Sequence, residues 1–583
     1  MPLTTIRGIL LLYQMIRRIS FLTLLLLSTL SLMAVPAHRG VAQVRQPDGT
    51  SVTLQLHGDE WMHFHTTVDG YSVVKNQHGH YVYARLNDGR LEPTQYMAHD
   101  AAHRSPSELR WLEGVQKYQV PALSDYSLKL KTNEQNRRAA TLNKRRAAKY
   151  DYKNFRGLVI LVEFNDRSFS RSDSKEVFDD MFNMPYYRGY DDSKFGKFTG
   201  SVRDYFVDNS MGLFEPHFDV IGPIRVSYSQ YEPFKIDSIN KINYDALTKA
   251  DKTVDFRNYD TDHDGIVDMV YFVYAGLGSN YIGNDERLLW PHASFIIYND
   301  DYVTFDNVYL GYYACSTELC GSESFNIIDG IGTACHEFSH VLGLPDLYDA
   351  DYEKSGGYSH CPDEWSLMAG GSYENNARTP VGYSLFERYA TGFATPEVIT
   401  AEGNMRLNPL PLFNKGYRIN TEVEKEFFLL ENRQPSLFKW DAYLPGHGLL
   451  VYRVDSTNNV MWEANMVNVN PRHNYFVMIR AGNDSGATAS DPFPGSKNVT
   501  DLDHFTKPAN LRTWAGKKAQ WGIYNIQEKG NVIRFEVREP QDPNAIIGLS
   551  EEPSEAPYYN LQGQRVAPTT KGVLIHNGHK LVK

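Results

Sequence analysis

One stretch of the sequence, residues 336 to 346, combines the residue types of a catalytic zinc site. His336 and His340 are four residues apart, so they lie on the same face of a helix and can bind one metal ion. Glu337 lies beside them with a carboxylate that can move a proton, and Asp346 is placed to return as a third ligand. Three protein ligands and one position left for water are typical of a catalytic zinc site, and the pattern predicts metal-assisted peptide-bond hydrolysis.

Two glycine-containing turns must position these ligands. Gly343 comes three residues after His340, where a residue without Cβ can take the positive φ that ends a helix. The string WSLMAGGSY (365–373) predicts a tight turn that presents Met368 inward as a hydrophobic floor under the metal. HExxHxxGxx(H/D) followed by such a methionine turn is the metzincin pattern.

The chain resembles the immune inhibitor A-type metalloendopeptidases, secreted bacterial metzincin-like enzymes with aspartate as the third zinc ligand. Besides the two motifs above, the resemblance rests on GSVRDYF (200–206), LWPH (289–292), GLPDLYD (343–349) and PGHGLL (445–450). These strings lie within about residues 150–540, and a weaker likeness extends into the N-terminal segment. The fold implied is a metzincin-like α/β catalytic domain.

The resemblance also implies roles for individual residues. It makes His336, His340 and Asp346 the zinc ligands and Glu337 the general base. Many metzincins have a tyrosine two residues after the turn methionine, where this chain has glycine, so Tyr373 is the candidate for stabilising the oxyanion.

Two alternatives stay open at this point. A gluzincin-type peptidase would take its third ligand from a later helix, and Glu364 follows His340 by 24 residues. The other alternative is a surface adhesin or binding protein with a metalloprotease fold that has lost activity, which the intact Glu337 disfavours.

A second cluster of carboxylates precedes a predicted strand at Met269–Tyr274. Carboxylates at alternating positions plus a glycine match the first half of an oxygen-cage calcium loop. The predicted ligands are Asp260, Asp262, Asp264, the backbone carbonyl of Ile266, and Asp268. Position twelve is Tyr271 rather than glutamate, so calcium would need a further ligand or water.

All four cysteines fall near the zinc motif, at Cys315, Cys320, Cys335 and Cys361. Four cysteines permit three pairings, and export favours oxidation. The preferred pairs are Cys315–Cys320 and Cys335–Cys361. A zinc site built from these cysteines is the rival interpretation, but the sequence contains no CxxC pair to support it.

The N-terminus reads as an export signal. Two arginines precede an apolar run from residue 19 to residue 35, which ends in the small-residue cleavage site VPA. Removal of residues 1–37 takes away three arginines and no acidic residue, so the net charge moves from −11 to −14. Such an acidic chain does not suit nucleic acid or anionic membrane surfaces, and no further apolar stretch predicts a transmembrane span. We therefore expect a secreted or cell-surface protein, more simply monomeric than oligomeric.

The full organisation predicted is an α/β metzincin-like catalytic domain between two β-rich regions. Residues 1–37 are the signal peptide, and 38–146 are a pro-region consisting of a β-rich unit and a basic linker suited to proteolytic cutting. Residues 147–395 form the catalytic domain and 396–540 an all-β sandwich-like region. The tail, 541–583, is similar to C-terminal signals that address bacterial proteins to an outer-membrane secretion system. The partners expected are protein or peptide substrates.

Overall fold

The computed structural model describes residues 36–38, 40–59, 61–123, 152–190, 197–233, 236–299, 301–322, 325–350, 359, 361–482, 486–540, 542, 557–576 and 579–583. The predicted signal segment up to residue 35, the basic doublets at 137–138 and 144–146, and the start of the predicted tail lie outside these residues.

The N-terminal unit is a six-stranded antiparallel sheet in sequential order. Its strands are β1 (Val41–Arg45), β2 (Ser51–Gly58), β3 (His63–Thr67), β4 (Ser72–Lys75), β5 (Tyr81–Asn87) and β6 (Arg90–Met97), and helix α1 spans Pro106–Leu112. The alternation in β2 places Val52, Leu54 and Leu56 in a core, while the residues between them are half-buried. The predicted β-rich unit is confirmed.

The catalytic domain is organised around a largely parallel sheet in the order β11-β15-β10-β7-β8, with β16 on the far end of β15. Its strands are β7 (Arg156–Glu163), β8 (His217–Arg225), β9 (Ile266–Val267), β10 (Val270–Leu277), β11 (His292–Phe295), β12 (Ile297–Tyr298), β13 (Asp301–Phe305), β14 (Val308–Leu310), β15 (Tyr312–Ser322) and β16 (Phe325–Ile328). Strands β8, β7, β10 and β15 are parallel, while β11 and β16 run antiparallel to β15. Short strands β9 and β12 to β14 form a smaller sheet beside it.

Both faces of the central sheet are covered, as is usual for parallel strands. Successive side chains of β7 enter two different cores. Val159 and Leu161 join the core that includes the helix of the predicted zinc motif, whereas Leu158 and Ile160 join the core on the opposite face of the sheet. The helices of this domain are α2 (Ser174–Asn183), α3 (Val202–Asn209), α4 (Ile236–Ala250), α5 (Gly332–Val341) and α6 (Leu385–Ala390). The α/β prediction is confirmed. Ser201 caps α3 through a capping box with Asp204.

The C-terminal region contains two antiparallel-rich sheets, ordered β17-β19-β20-β21-β22 and β18-β24-β23. Its strands are β17 (Glu397–Val398), β18 (Gly403–Leu407), β19 (Tyr417–Asn420), β20 (Glu426–Arg433), β21 (Gly448–Asp455), β22 (Phe476–Ile479), β23 (Gly522–Lys529) and β24 (Val532–Arg538), with short helices α7 (Leu410–Phe413) and α8 (Asn459–Glu463). Apolar residues from both sheets meet in one core, which gives the region a sandwich-like form.

The central strand of this region is shared with the catalytic domain. In β20, Phe428 and Leu430 face the core between the two C-terminal sheets, whereas Phe427 and Leu429 belong to the core that contains the zinc helix. The apolar core therefore crosses the predicted boundary between residues 395 and 396.

The last strands form a separate small sheet ordered β26-β25-β27-β28. They are β25 (Tyr558–Asn560), β26 (Arg565–Val566), β27 (Val573–His576) and β28 (His579–Val582). Leu574 and Leu581 are its buried apolar residues. Within the described ranges, the helices are all too short or too polar to cross a membrane.

One prediction about local structure is wrong. The predicted disulfide pairs are wrong, since within the part of the chain that the structure describes all four cysteines are buried and none takes part in a disulfide. Cys315 and Cys320 lie in the same strand, β15, about 16 Å apart at the usual rise per residue, which is too far for a disulfide. Cys361 instead donates its thiol to Asp363 Oδ1 at 3.0 Å.

Candidate metal centre

The zinc motif lies on the fully buried helix α5. Gly343 ends this helix with a φ of +97°, and its N–H donates to His340 O while the next N–H donates to Ser339 O. These two bonds form a Schellman motif, which requires the left-handed conformation that glycine takes without strain. The chain then turns back and brings Asp346 to the two histidines.

Three ligand atoms converge in this centre. The Nε2 atoms of His336 and His340 are 3.2 Å apart. Oδ1 of Asp346 lies 3.1 Å from the first and 3.4 Å from the second. With metal–ligand bonds of about 2.0–2.1 Å, the edges of a tetrahedral zinc site are about 3.3 Å long. The three side chains therefore fit one face of a zinc tetrahedron, and all three are buried.

Backbone carbonyls orient both histidines toward this point. His336 Nδ1 lies 2.8 Å from Leu367 O and His340 Nδ1 lies 2.9 Å from Leu344 O. A carbonyl can only accept, so each Nδ1 carries the proton and each Nε2 keeps its lone pair for a metal. The two carbonyls thus fix the tautomer and orientation of the histidines, and the motif alone did not predict them.

The methionine turn supports the ligands from two sides. Leu367 O accepts from His336, and Met368 O accepts from the N–H of Leu347, the residue after the third ligand, at 2.7 Å. The turn is itself held by Glu387, whose Oε1 accepts from Met368 N at 3.1 Å and from Ser366 Oγ at 2.6 Å. Met368 is fully buried, and its place as a floor beneath the metal stays a prediction.

A close approach fixes the second glycine of this turn. A Cβ on Gly371 would lie 2.2 Å from Val381 Cγ1 and 2.6 Å from Ser366 O, so only glycine fits. Glycine at position 371 therefore allows the turn to pack closely against the segment that precedes α6.

The third ligand is charged and anchored. Burial by itself raises the pKa of Asp346, but His340 and His336 lower it to about 2, so the side chain is a carboxylate at neutral pH. Its backbone N–H and its Oδ2 contact Asn465, a residue of the C-terminal β region, at 2.6 Å each. The sequence analysis did not identify Asn465.

Among the described residues, Glu364 does not join the two histidines, whereas Asp346 does. Glu364 lies near Glu374, and burial together with this neighbouring charge raises the pKa of Glu374 to about 7. The geometry thus favours the aspartate predicted as third ligand over the gluzincin alternative. Glu337, the predicted base, is fully buried on the same helix as the histidines.

Tyr373 contacts the N-terminal segment. Its hydroxyl donates to Pro36 O at 2.7 Å, and its ring lies edge-on to the ring of His38 at 5.1 Å. The same His38 ring stacks on Tyr281, and burial lowers its pKa. In this form of the protein the predicted oxyanion residue is therefore covered by the start of the N-terminal unit.

The acidic loop forms a second carboxylate group. Asp260, Asp262 and Asp264 bring one oxygen each within 4.8 Å of one another. Asp268 is not part of this group, and its Oδ2 accepts from the N–H of Thr261 at 2.9 Å. Ile266 lies in β9, where it pairs with Tyr309.

A buried HxxxH helix with a returning aspartate, on an α/β sheet domain, is the arrangement expected of a metalloprotease catalytic domain. Residues 144–391 match the family model described as "Immune inhibitor A peptidase M6, catalytic domain". This match agrees with the resemblance found in the sequence.

One curated relative is Immune inhibitor A from Bacillus thuringiensis subsp. alesti. It is 24% identical over 279 residues, which cover 41% of this chain and 40% of the relative. The matched part is thus less than half of either protein. The family match ends at residue 391 and does not include Asn465.

Proposed function

We propose that this protein is an exported zinc endopeptidase that hydrolyses peptide bonds in proteins. The observation that carries the proposal is the convergence of His336 Nε2, His340 Nε2 and Asp346 Oδ1 within 3.1–3.4 Å of one another in a buried site. The family of the catalytic domain supports the same activity.

Each residue has a distinct part in the proposed mechanism. His336, His340 and Asp346 hold the metal, and zinc supplies a Lewis acid that activates water and polarises the scissile carbonyl. Glu337 accepts the proton of the attacking water and returns it to the leaving amine. No covalent intermediate with the protein is needed. The turn that contains Met368 keeps His336 oriented, because His336 Nδ1 donates to Leu367 O in this turn.

The N-terminal unit is proposed to act as a pro-region that covers the site until it is removed near Arg146. His38 packs against Tyr281 and Tyr373, and Trp290 of the catalytic domain stacks on His63 at 5.0 Å. Ile282 and Trp290 also belong to the apolar core of the N-terminal unit. Cutting near Arg146 and release of this unit would expose Tyr373, which then becomes available to an oxyanion.

The N-terminus of the active species tests this part of the proposal. Sequencing should place it near residue 147. An active species that begins near His38 would contradict the pro-region, since the contacts with Tyr373 would then persist during catalysis.

Calcium is proposed to bind to the acidic loop. Asp260, Asp262 and Asp264 support it by their grouping, and extracellular calcium is abundant enough to fill weak oxygen sites. Export is supported by the sequence of residues 19–37 and by the likeness of the tail, residues 541–583, to C-terminal secretion signals. A monomer remains the simplest proposal for the assembly.

The decisive experiment compares the processed protein with Glu337→Ala on a denatured protein substrate. Processed enzyme should cleave, and the variant should lose about 10²–10⁴-fold in rate because general base catalysis supplies that factor. Equal cleavage by both would indicate a contaminating protease. Zinc-loaded, processed enzyme that cleaves no substrate would contradict the endopeptidase and favour a binding protein.

A further inference from the structure

The third ligand is held by a residue that lies 119 positions further along the chain. Asn465 Oδ1 accepts from the backbone N–H of Asp346 at 2.6 Å, and Asn465 Nδ2 donates to Oδ2 of the same aspartate at 2.6 Å. A primary amide offers one acceptor and donors side by side, so it matches the N–H and the carboxylate of one residue at the same time. Both partners are about 1% exposed, so these bonds are not shared with bulk water.

The backbone that carries Asn465 is specified locally. Asn465 follows α8 with a φ of +60°, its N–H donates to Trp462 O, and the N–H of Met466 donates to Met461 O. These two bonds form a Schellman motif, in which asparagine is a common alternative to glycine. Met466 packs in one buried cluster with Tyr348 and Ala369, and the partly buried Met461 packs against it. The Schellman motif and the packing of its neighbours thus fix the backbone position from which the Asn465 side chain extends.

We propose that Asn465 is a positioning residue of the metal centre, which holds the carboxylate of Asp346 so that Oδ1 alone faces the histidines. This inference rests on the zinc site proposed above. The geometry carries it: Oδ2 is engaged by Asn465, and Oδ1 lies 3.1 and 3.4 Å from the two Nε2 atoms. A carboxylate without this contact could rotate about its last bond, and its buried Oδ2 would lose a donor.

The catalytic unit accordingly extends beyond the family match at residue 391. Neighbouring contacts support the same conclusion, because Asn468 Nδ2 donates to Leu347 O at 2.8 Å and Asn468 Oδ1 accepts from Phe476 N. The loop after α8 therefore holds two consecutive residues of the ligand segment. The C-terminal β region thus contributes to metal binding through the ligand segment that it positions.

The test uses the full processed chain with Asn465→Ala and the isosteric Asn465→Asp. Asn465→Asp keeps the acceptor for Asp346 N–H but replaces the donor with an oxygen that faces Oδ2. The matched control is Asn432→Ala, since Asn432 is equally buried and bonds Leu407 O, Asn531 O and Gln434 within the same β region, without contact to a ligand.

Three quantities are measured for each protein: the zinc Kd by chelator competition, the visible spectrum after substitution with Co²⁺, and the Tm in excess chelator. Loss of a residue that orients a ligand typically costs about 10–100-fold in metal affinity, and we expect this increase in Kd for both Asn465 variants. Their Co²⁺ spectra should also change. Asn432→Ala should lower the Tm and leave both the zinc Kd and the Co²⁺ spectrum as in the wild type.

Wild-type zinc affinity and an unchanged Co²⁺ spectrum in Asn465→Asp would overturn the proposal, whatever its Tm. If Asn465→Ala does not fold, the isosteric variant decides alone. The proposed function fails separately: a wild-type protein that binds zinc but does not cleave protein refutes the endopeptidase, while a raised Kd in the Asn465 variants would still establish the positioning role.

Discussion

The two clusters of metal-type ligands in this molecule are built in opposite ways. At the zinc motif, two of the three atoms that do not face the metal bond residues outside the motif: Nδ1 of His336 bonds Leu367 O, and Oδ2 of Asp346 bonds Asn465. Nδ1 of His340 bonds Leu344 O within the motif. In the acidic loop, the carboxylate oxygens accept from the backbone of the loop itself. Asp260 accepts from the N–H groups of Asp264 and Gly265 at 3.0 Å.

This difference indicates how strongly each cluster needs an ion. The three zinc ligands are buried, and hydrogen bonds to their other polar atoms hold them in orientation. Their metal-facing atoms therefore converge at one point. In the acidic loop, Asp260 is buried whereas Asp262 and Asp264 are half-buried. All three carboxylates already serve as turn acceptors, so the turn can form with water in place of a cation. We expect tight zinc binding that is essential for activity, and weak calcium binding that tunes stability.

The largest effect should come from the third ligand. Asp346→Ala should lose bound zinc and all detectable proteolysis, because two histidines alone leave the metal under-coordinated. Glu364→Ala, its matched control, should retain one zinc per chain. Metal analysis by mass spectrometry and a protein-cleavage assay measure both. Loss of zinc in Glu364→Ala and its retention in Asp346→Ala would transfer the third ligand to the glutamate.

A smaller effect is expected at Glu387, which contacts the methionine turn and not a zinc ligand itself. Glu387→Ala removes the acceptor of Met368 N and Ser366 Oγ, so the turn that orients His336 loosens. Zinc affinity and kcat/KM should each fall by about 10–100-fold. Glu397→Ala, at an exposed position of β17, serves as the control and should change neither. Unchanged zinc affinity in Glu387→Ala would show that the histidine is oriented without this turn.

The pH dependence of stability extends the comparison to a buried carboxylate just before the zinc helix. Burial raises the pKa of Asp329 from 3.8 to about 6. The folded protein therefore holds this proton more tightly than the unfolded chain. Its stabilising contribution is complete below pH 3.8 and is lost as the pH rises to about 6, a change on the order of 3 kcal/mol.

Asp329→Asn removes this titration. Urea unfolding in chelator, at half-unit steps from pH 4 to pH 7, should show that the wild type loses more stability over this range than the variant. Parallel curves for the two proteins would mean that Asp329 is ionised throughout the range.

The smallest effect should be at the acidic loop. Millimolar calcium acting on a site with a Kd of about 10⁻⁴–10⁻³ M would stabilise the protein by about 1 kcal/mol. The Tm of the wild type should rise slightly with calcium, and the double variant Asp262→Asn and Asp264→Asn should lose this response while keeping its zinc and its activity. A loss of activity on calcium removal would break the comparison, since the loop would then serve catalysis.

The sequence predicted the parts of the site that are local. His336, Glu337, His340, Gly343 and Asp346 lie within eleven residues, and helix periodicity plus a glycine stop determines how they fold back. The contacts that position them come from distant segments. Nothing in the sequence around Asn465 indicates that its amide reaches Asp346, because that contact depends on how β20, β21 and α8 pack against the catalytic domain.

The error in the disulfide pairs has the same physical origin. Export and the nearness of the cysteines in sequence favour pairing, but strand β15 places Cys315 and Cys320 far apart along one extended segment. The boundary between residues 395 and 396 stays a prediction, and the apolar core crosses it. Alternate residues of β20 enter the core that contains α5, and alternation alone does not predict which core each face will meet.

Strand β20 also determines how the protein unfolds. Since Phe427 and Leu429 line one core while Phe428 and Leu430 line the other, neither half can melt without exposing apolar surface of the other. Heat or denaturant should therefore act on residues 152–540 as a single cooperative unit. Release of the metal, loss of cleavage and loss of strand structure would coincide in one transition, so the enzyme would have no intermediate in which it is partly folded and still active.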